Sequence, residues 1–250
     1  MRVIILAAGQ GTRLRPLTND KPKCMVELDK KPLIKYQLEM FEKNNLRDIN
    51  VVTGYLAEKI EFENVKKIYN QKFDSTNMVA TLFCASKLFD GNDDILISYG
   101  DIVYNDDVFK AIKDADNKIS VVIDKEWRKY WEARMENPLR DVETLKIDHN
   151  GNIKELGKKT NSYDDIEGQY IGLIKIRKDV AKEIKEYYIN LDKDKLYDGK
   201  DYLNMYMTSF LQMIADNLMP LTPVYINNGW IEVDEPTDLN YSKYLTNEYD

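Results

Sequence analysis

Short apolar runs alternate with amphipathic segments over the first half of the chain. Five strand-like runs lie at 3–8, 49–53, 65–69, 95–98 and 119–123. Between them, segments with apolar residues along one helical face predict helices at 32–44, 57–64, 75–88 and 107–116. This alternation predicts a three-layer α/β fold whose central sheet is mixed and mostly parallel.

The pattern changes after residue 125. It predicts an inserted arm at 127–138, a hairpin at 142–156 that turns at 149–151, and a strand at 170–176. Helices at 178–189 and 202–215, two short strands within 224–233 and a closing helix at 236–245 follow. We interpret the chain as one domain, 1–250, with halves at 1–124 and 125–250.

Composition restricts the classes of protein to consider. The 250 residues are 43% hydrophobic and 32% charged, which is typical of a globular protein. No apolar run approaches the roughly 20 residues that a bilayer span needs, and Met1-Arg2 leads directly into a strand rather than a signal peptide. Cys24 and Cys84 do not have the spacing of metal ligands or of a disulfide framework, which favours a reducing cytoplasm. We therefore expect a cytoplasmic protein. We also expect no membrane contact, and either a monomer or a homodimer.

The net charge of −7 argues against nucleic acid as a partner. Its distribution is uneven, because residues 1–31 contain seven Lys or Arg against three Asp or Glu. Residues 232–250 contain six acids and the single base Lys243. A basic loop that faces an acidic segment suits an anion with its cations, although acidic tails are also common as solvated ends.

The loop from 6 to 23, LAAGQGTRLRPLTNDKPK, has the strongest chemical indication. Gly9 and Gly11 allow the backbone to turn close to a ligand, and N–H groups of such loops bind phosphate oxygens. Arg13 and Lys23 add cationic donors. A dinucleotide-binding motif would need glycine where Leu14 stands, and the Gly-Lys-Ser/Thr of a Walker loop is absent.

This string resembles the loop of the sugar-nucleotidyltransferase-like superfamily. The resemblance implies a Rossmann-like domain of the nucleotide-diphospho-sugar transferase type, with nucleotide bound by 1–124 and an acceptor-side insertion in 125–250. It implies that Arg13 and Lys23 act on the triphosphate, with Lys23 at the α-phosphate. The nucleotide-binding residues that we expect are Leu6, Ala8, Gly9, Gln10, Gly11, Thr12, Arg13, Thr76, Asn77 and Gly100.

Two aspartates follow predicted strands, Asp101 in YGDIVY and Asp234 in IEVDEP. The carboxyl ends of strands in α/β sheets are ligand-binding positions. In the family such carboxylates hold Mg²⁺ against the nucleotide phosphates, and Mg²⁺ prefers oxygen ligands. The resemblance therefore implies Asp101 and Asp234 as metal ligands; taken singly, each is better explained as a solvated strand-end acid.

Residues 69–85 resemble the cytidylyltransferase branch that includes the phosphocholine and 2-aminoethylphosphonate enzymes, which favours CTP. Thr76 and Asn77 are expected to contact base or ribose, and the alternative is that they only cap a helix. The acceptor is expected at Lys125, Trp131, Arg134, Gln169 and Lys175, with Lys175 on its phosphate. Trp127, Tyr130 and Trp131 suit a quaternary amine, or else pack in the core.

Over its whole length the chain is similar to cytidylyltransferases of capsular phosphoramidate biosynthesis. This implies CMP transfer from CTP to L-glutamine phosphate, giving CDP-L-glutamine and pyrophosphate. Phosphocholine, 2-aminoethylphosphonate and hexose 1-phosphates remain alternative acceptors, and a nucleotide-sensing subunit without catalysis is an alternative function. An ionised phosphate oxygen needs no general base, which agrees with the placement of the one histidine, His149, in a predicted turn.

Overall fold

The computed structural model describes residues 1–246, so positions 247–250 of the predicted acidic segment lie outside it. The strands are β1 (Arg2–Ala7), β2 (Glu27–Leu28), β3 (Lys31–Pro32), β4 (Ile49–Thr53), β5 (Lys66–Tyr69), β6 (Ile95–Tyr99), β7 (Ile102–Tyr104), β8 (Ile119–Asp124), β9 (Glu143–Ile147), β10 (Ile153–Lys159), β11 (Gln169–Ile176), β12 (Thr222–Ile226) and β13 (Trp230–Glu232). The α-helices are α1 (Leu33–Lys43), α2 (Met78–Cys84), α3 (Asp106–Asp114), α4 (Trp127–Arg134), α5 (Lys178–Ile189) and α6 (Met207–Asn217). Short 3₁₀ segments lie at Thr12–Leu14, Lys23–Met25, Ala57–Lys59, Ser86–Leu88, Pro138–Arg140, Tyr163–Asp165 and Pro236–Leu245.

Seven strands form the central sheet in the order β12-β8-β11-β6-β1-β4-β5. All neighbours pair in parallel except β11, which runs antiparallel to both β6 and β8. This arrangement confirms the predicted mixed, mostly parallel sheet. Because β1, β4, β6 and β8 all point the same way, the loops that follow them share one edge.

Side chains of β1 alternate between two cores, one on each face of the sheet. Val3 and Ile5 pack with apolar residues of α1, α3 and α4. Ile4 and Leu6 pack on the opposite face with residues of α2, α5 and α6. The strand is therefore apolar at every position after Arg2, and the three-layer prediction is confirmed.

Several predicted helices differ in extent from those observed. The segment predicted at 57–64 is helical only as a 3₁₀ turn at Ala57–Lys59, and the closing segment Pro236–Leu245 is also 3₁₀. α2 ends at Cys84 rather than Leu88, and α6 begins at Met207. An apolar helical face is a weak indicator of where a helix begins and ends, because tertiary contacts decide its ends.

The predicted hairpin after the arm is present as β9 and β10, whose antiparallel register places Ile153 opposite Ile147. Its turn includes Gly151, at φ +81°. In residues 1–246, none of the helices has the length and apolar composition needed to cross a membrane.

Candidate active site

The predicted functional residues gather at the sheet edge where β1 and β6 end. In the parallel register Leu6 lies opposite Tyr99, and the N–H of Gly100 donates to the Leu6 carbonyl oxygen at 2.9 Å. A Cβ at Gly100 would lie 2.8 Å from that oxygen, so only glycine fits this crossing. Asp101 is therefore held beside the loop that follows β1.

The glycine-containing loop folds back on itself through Gly11, which has φ +61°. A Cβ there would lie 2.9 Å from the Cβ of Lys23. The Thr18 hydroxyl donates to the Gly11 carbonyl oxygen at 2.8 Å and closes the loop. This packing brings Lys23 against Gly11, although twelve positions separate the two in the sequence.

A cavity of about 310 Å³ lies between this loop, the β6 end and the start of α2. The predicted residues that line it are Leu6, Ala8, Gly9, Gly11, Thr12, Arg13, Lys23, Thr76, Asn77, Gly100, Asp101 and Asp234. Gln10 was also predicted but does not line the cavity. Lining residues that the sequence did not indicate are Ala7, Cys24, Phe73, Met78 and Thr81. The latter are mostly apolar and small, so no chemical pattern distinguishes them from core residues.

Of the two roles that the sequence left open for Thr76 and Asn77, the structure shows helix capping, and for Asn77 alone. The Asn77 side chain caps α2 by accepting from the Met78 N–H at 2.8 Å. The Thr76 hydroxyl donates to the Lys72 carbonyl oxygen and accepts from Asn70. Both residues still line the cavity. Contact with a base or ribose therefore remains a prediction.

Three carboxylates, those of Asp101, Glu232 and Asp234, lie within 4.8 Å of one another. They converge because β7 and β13 pair antiparallel and the Val233 N–H donates to the Asp101 carbonyl oxygen at 3.1 Å. Glu232 was not predicted. Glu232 and Asp234 are two positions apart, so in an extended segment their side chains lie on the same face. This spacing is the signal in the sequence that would have indicated Glu232 as a member of the site.

Both predicted cations contact these acids. The Lys23 ammonium lies between Asp101 Oδ2, at 2.5 Å, and Asp234 Oδ1. Arg13 Nη2 pairs with Asp234 Oδ2 at 2.9 Å. Lys23 is largely enclosed while Arg13 is 61% exposed, so the lysine is the better shielded of the two charges.

The electrostatics of the cluster follow from burial and from its neighbours. Burial alone would lower the pKa of Lys23, but the Asp101 and Asp234 carboxylates outweigh it and raise that pKa above its usual value. Burial, with the charges of Asp234 and Asp101, holds the pKa of Glu232 well above normal. Burial opposes ionisation of Asp234, yet Lys23 and Arg13 together lower its pKa.

The acidic cluster has the donor set of a divalent cation site. Carboxylate oxygens are the ligands that hard cations prefer. Within residues 1–246, Asp101 Oδ1 is buried without a hydrogen-bond partner, which leaves one oxygen of the cluster free to coordinate. A cation there would also reduce repulsion among three neighbouring acids. The residues therefore fit a bound metal ion.

Lys175 does not lie at this site, which corrects the expectation that it binds the acceptor phosphate. It pairs with Leu96 near the start of β6, at the opposite edge of the sheet. Its buried ammonium donates to the carbonyl oxygens of Lys113, at 2.8 Å, and Ala115. Because β11 runs antiparallel, residues late in this strand lie where its neighbours begin.

The aromatic residues of the arm are core residues rather than an open cage. Trp127, Tyr130 and Trp131 are each at most 5% exposed, and Tyr130 packs edge-to-face on Trp230. The Trp131 indole donates to Asp141 at 2.9 Å. This placement corrects the prediction that Trp131 contacts the acceptor, since no ring face is open to a ligand.

The other expected acceptor residues have separate partners. The Gln169 amide donates to the carbonyl oxygen of Glu143 and accepts from its N–H, so it joins β11 to β9. Arg134 is buried against Asp238. Lys125 follows β8 at the functional edge, is exposed, and lies over the Tyr225 ring at 5.1 Å. Of these, Lys125 alone keeps a side chain available to a ligand.

The fold and site define an α/β protein in which a glycine loop, two cations and a carboxylate cluster meet at one sheet edge. The chain belongs to the nucleotidyl transferase family, which matches residues 2–131. It is 45% identical over 248 residues to the CTP:phosphoglutamine cytidylyltransferase of Campylobacter jejuni, covering 96% of this chain and 98% of that protein. The family relationship confirms the predicted class of enzyme.

Other relatives are more distant. A choline-phosphate cytidylyltransferase of Streptococcus pneumoniae is 40% identical over 87 residues, 33% of this chain and 38% of that protein. The solved CTP:phosphocholine cytidylyltransferase of Streptococcus pneumoniae covers 98% of this chain and 97% of its own, with TM-score 0.67 and 22% identity. The inositol-1-phosphate CTP transferase of T. maritima covers 97% and 93%, with TM-score 0.72 and 21% identity. These structures confirm the fold.

Proposed function

We propose that this protein is a Mg²⁺-dependent cytidylyltransferase that transfers CMP from CTP to L-glutamine phosphate. The products are CDP-L-glutamine and pyrophosphate. The observation that supports this most directly is the convergence of Lys23 and Arg13 with a three-carboxylate cluster, of which Asp101 and Asp234 line the cavity beside the glycine loop. The choice of CTP and glutamine phosphate rests on the 45% identical relative, whose similarity extends along both chains.

In the proposed reaction, a phosphate oxygen of the acceptor attacks the α-phosphorus of CTP. The bond from that phosphorus to the oxygen bridging the β-phosphate breaks, and pyrophosphate leaves with its electron pair. Asp101, Glu232 and Asp234 would hold Mg²⁺, which supplies positive charge to the phosphates when bound. The chain itself supplies Lys23 and Arg13, which exchange their carboxylate partners for phosphate oxygens and neutralise the two reacting anions.

No side chain needs to remove a proton in this reaction, because the attacking phosphate oxygen is already ionised at neutral pH. The histidine at position 149 is exposed in the β9–β10 turn region, and we assign it no role. Catalysis therefore depends on positioning and charge neutralisation. The cytoplasmic location and a role in capsule phosphoramidate synthesis are parts of the same proposal.

The acceptor alternatives are unequally supported. Phosphocholine would need a site for a quaternary amine, yet Trp127, Tyr130 and Trp131 are buried. Two relatives named for choline phosphate align in sequence with 33% and 52% of this chain, less than the 96% of the phosphoglutamine relative. 2-Aminoethylphosphonate and hexose 1-phosphates have no specific support from the site, so they serve as comparison substrates.

The test is pyrophosphate release from CTP, UTP and dTTP with each acceptor, in Mg²⁺ and in EDTA. We expect Mg²⁺-dependent turnover that is fastest with CTP and glutamine phosphate, with CDP-L-glutamine identified by mass spectrometry. Faster turnover with phosphocholine or a hexose 1-phosphate would replace the acceptor assignment. Tight CTP binding by calorimetry without turnover on any acceptor would favour the nucleotide-sensing alternative.

A further inference from the structure

Helix α4 reaches the carboxylate cluster from outside the cavity. The Tyr130 hydroxyl donates to the carbonyl oxygen of Glu232 at 3.1 Å and accepts from its N–H at 3.0 Å. Arg134, one turn later at the end of α4, has a side chain that is 4% exposed. The arm therefore contacts β13, which ends at Glu232, two residues before Asp234.

Arg134 is linked to Asp234 by hydrogen bonds through Asp238. Its Nε and Nη2 donate to the two carboxylate oxygens of Asp238, at 2.9 and 3.1 Å. Asp238 Oδ2 in turn accepts from the backbone N–H groups of Asp234 and Glu235, both at 2.8 Å. This bidentate pair fixes the backbone from which the Asp234 side chain extends.

The remaining guanidinium nitrogen faces the third acid. Arg134 Nη1 lies 3.9 Å from Glu232 Oε2, and it is buried without a hydrogen-bond partner among the residues that the structure describes. A buried cationic N–H without an acceptor is unfavourable. Among the acids of the cluster, Nη1 lies nearest Glu232, while the guanidinium is held over the Tyr130 ring at 5.0 Å.

We propose that Arg134 is a positioning residue for the divalent cation, holding Asp234 in place through Asp238 and drawing the Glu232 carboxylate towards the cluster. The inference rests on the proposed Mg²⁺ site and goes beyond it by assigning the arm a role in metal binding. The sequence had suggested contact with the acceptor for the same arginine. Residues that orient metal ligands influence affinity without touching the ion.

The test measures Mn²⁺ binding to the full chain by calorimetry and electron paramagnetic resonance, with a non-hydrolysable CTP analogue present. Arg134→Met should raise the Mn²⁺ dissociation constant about 10–100-fold. Tyr130→Phe keeps the ring and removes the hydroxyl, and should weaken binding several-fold. Arg128→Met is the matched control, because Arg128 lies on α4, is exposed and pairs with Glu132. It should bind as the wild type does.

The melting temperature of each variant separates positioning from a general structural effect. If Arg134→Met and Tyr130→Phe melt lower but bind Mn²⁺ like the control, the inference is refuted. Should Arg134→Met fail to fold, Tyr130→Phe decides between the two outcomes. A wild type without Mn²⁺ binding would overturn the inference together with the metal site. A wild type that binds Mn²⁺ but transfers no CMP would refute only the proposed function.

Discussion

Replacement of Lys23 by Met gives the sharpest test of the charge arrangement. Methionine keeps an unbranched stem that can pack against Gly11 while removing the ammonium between Asp101 and Asp234. In the free protein, Arg13 then remains paired with Asp234, and Arg134 still faces Glu232. In the complex with CTP, one of the two proposed phosphate-binding charges is lost.

The expected effect on catalysis follows from the enclosure of Lys23, whose side chain is 17% exposed. Removing one preorganised donor from a shielded site typically costs about 3–4 kcal/mol, so kcat should fall by about 10²–10³-fold. Without metal, the loss of the buried partner of Asp101 and Asp234 should also lower the unfolding free energy, by up to about 3–5 kcal/mol. Divalent cations should restore part of that stability.

The assay compares pyrophosphate release by the wild type, Lys23→Met and Lys21→Met at saturating Mg²⁺ and CTP. Lys21 lies in the same loop but outside the cavity lining, so its replacement controls for loss of charge alone. Circular dichroism verifies that each variant is folded. If Lys23→Met retained kcat within tenfold of Lys21→Met, the assignment of Lys23 to phosphate neutralisation would be incorrect.

Two further predictions concern residues away from the cavity. Burial raises the pKa of Glu143 to about 7 from 4.5, so its contribution to stability is present below pH 4.5 and is lost as the pH rises through 7. Urea unfolding should therefore show that Glu143→Gln has a free energy of unfolding about 2–3 kcal/mol above that of the wild type at pH 8, and nearly the same as the wild type at pH 4.5. An equal increase at both pH values would contradict this prediction. Lys175→Met should lower the free energy of unfolding by about 1–3 kcal/mol, because the carbonyl oxygens of Lys113 and Ala115 lose their hydrogen-bond donor. Its KM for the acceptor should be unchanged, and a raised KM would place Lys175 in the site after all.

Local chemistry in the sequence indicated most of the residues that line the cavity. Gly11 adopts a positive φ within the loop itself, whereas the crossing that excludes a Cβ at Gly100 involves Leu6 of a strand distant in sequence. Asp101 follows a strand whose apolar pattern is unmistakable. The charged residues Arg13 and Lys23 belong to the same continuous loop. The sequence alone can reveal a motif of this kind because its residues are close together in the chain.

The acceptor side was decided by contacts between distant segments. Apolar alternation does not reveal the direction of a strand, so only the antiparallel pairing of β11 showed that Lys175 lies at the far edge. Aromatic residues of the arm suit a ligand or a core equally well until Trp230 packs against them. Glu232 joins Asp101 because β7 pairs with β13, more than a hundred residues later. The sequence thus determined which residues have suitable chemistry. Strand pairing determined which of them meet, and only the tertiary structure shows this pairing because the paired strands are distant in sequence.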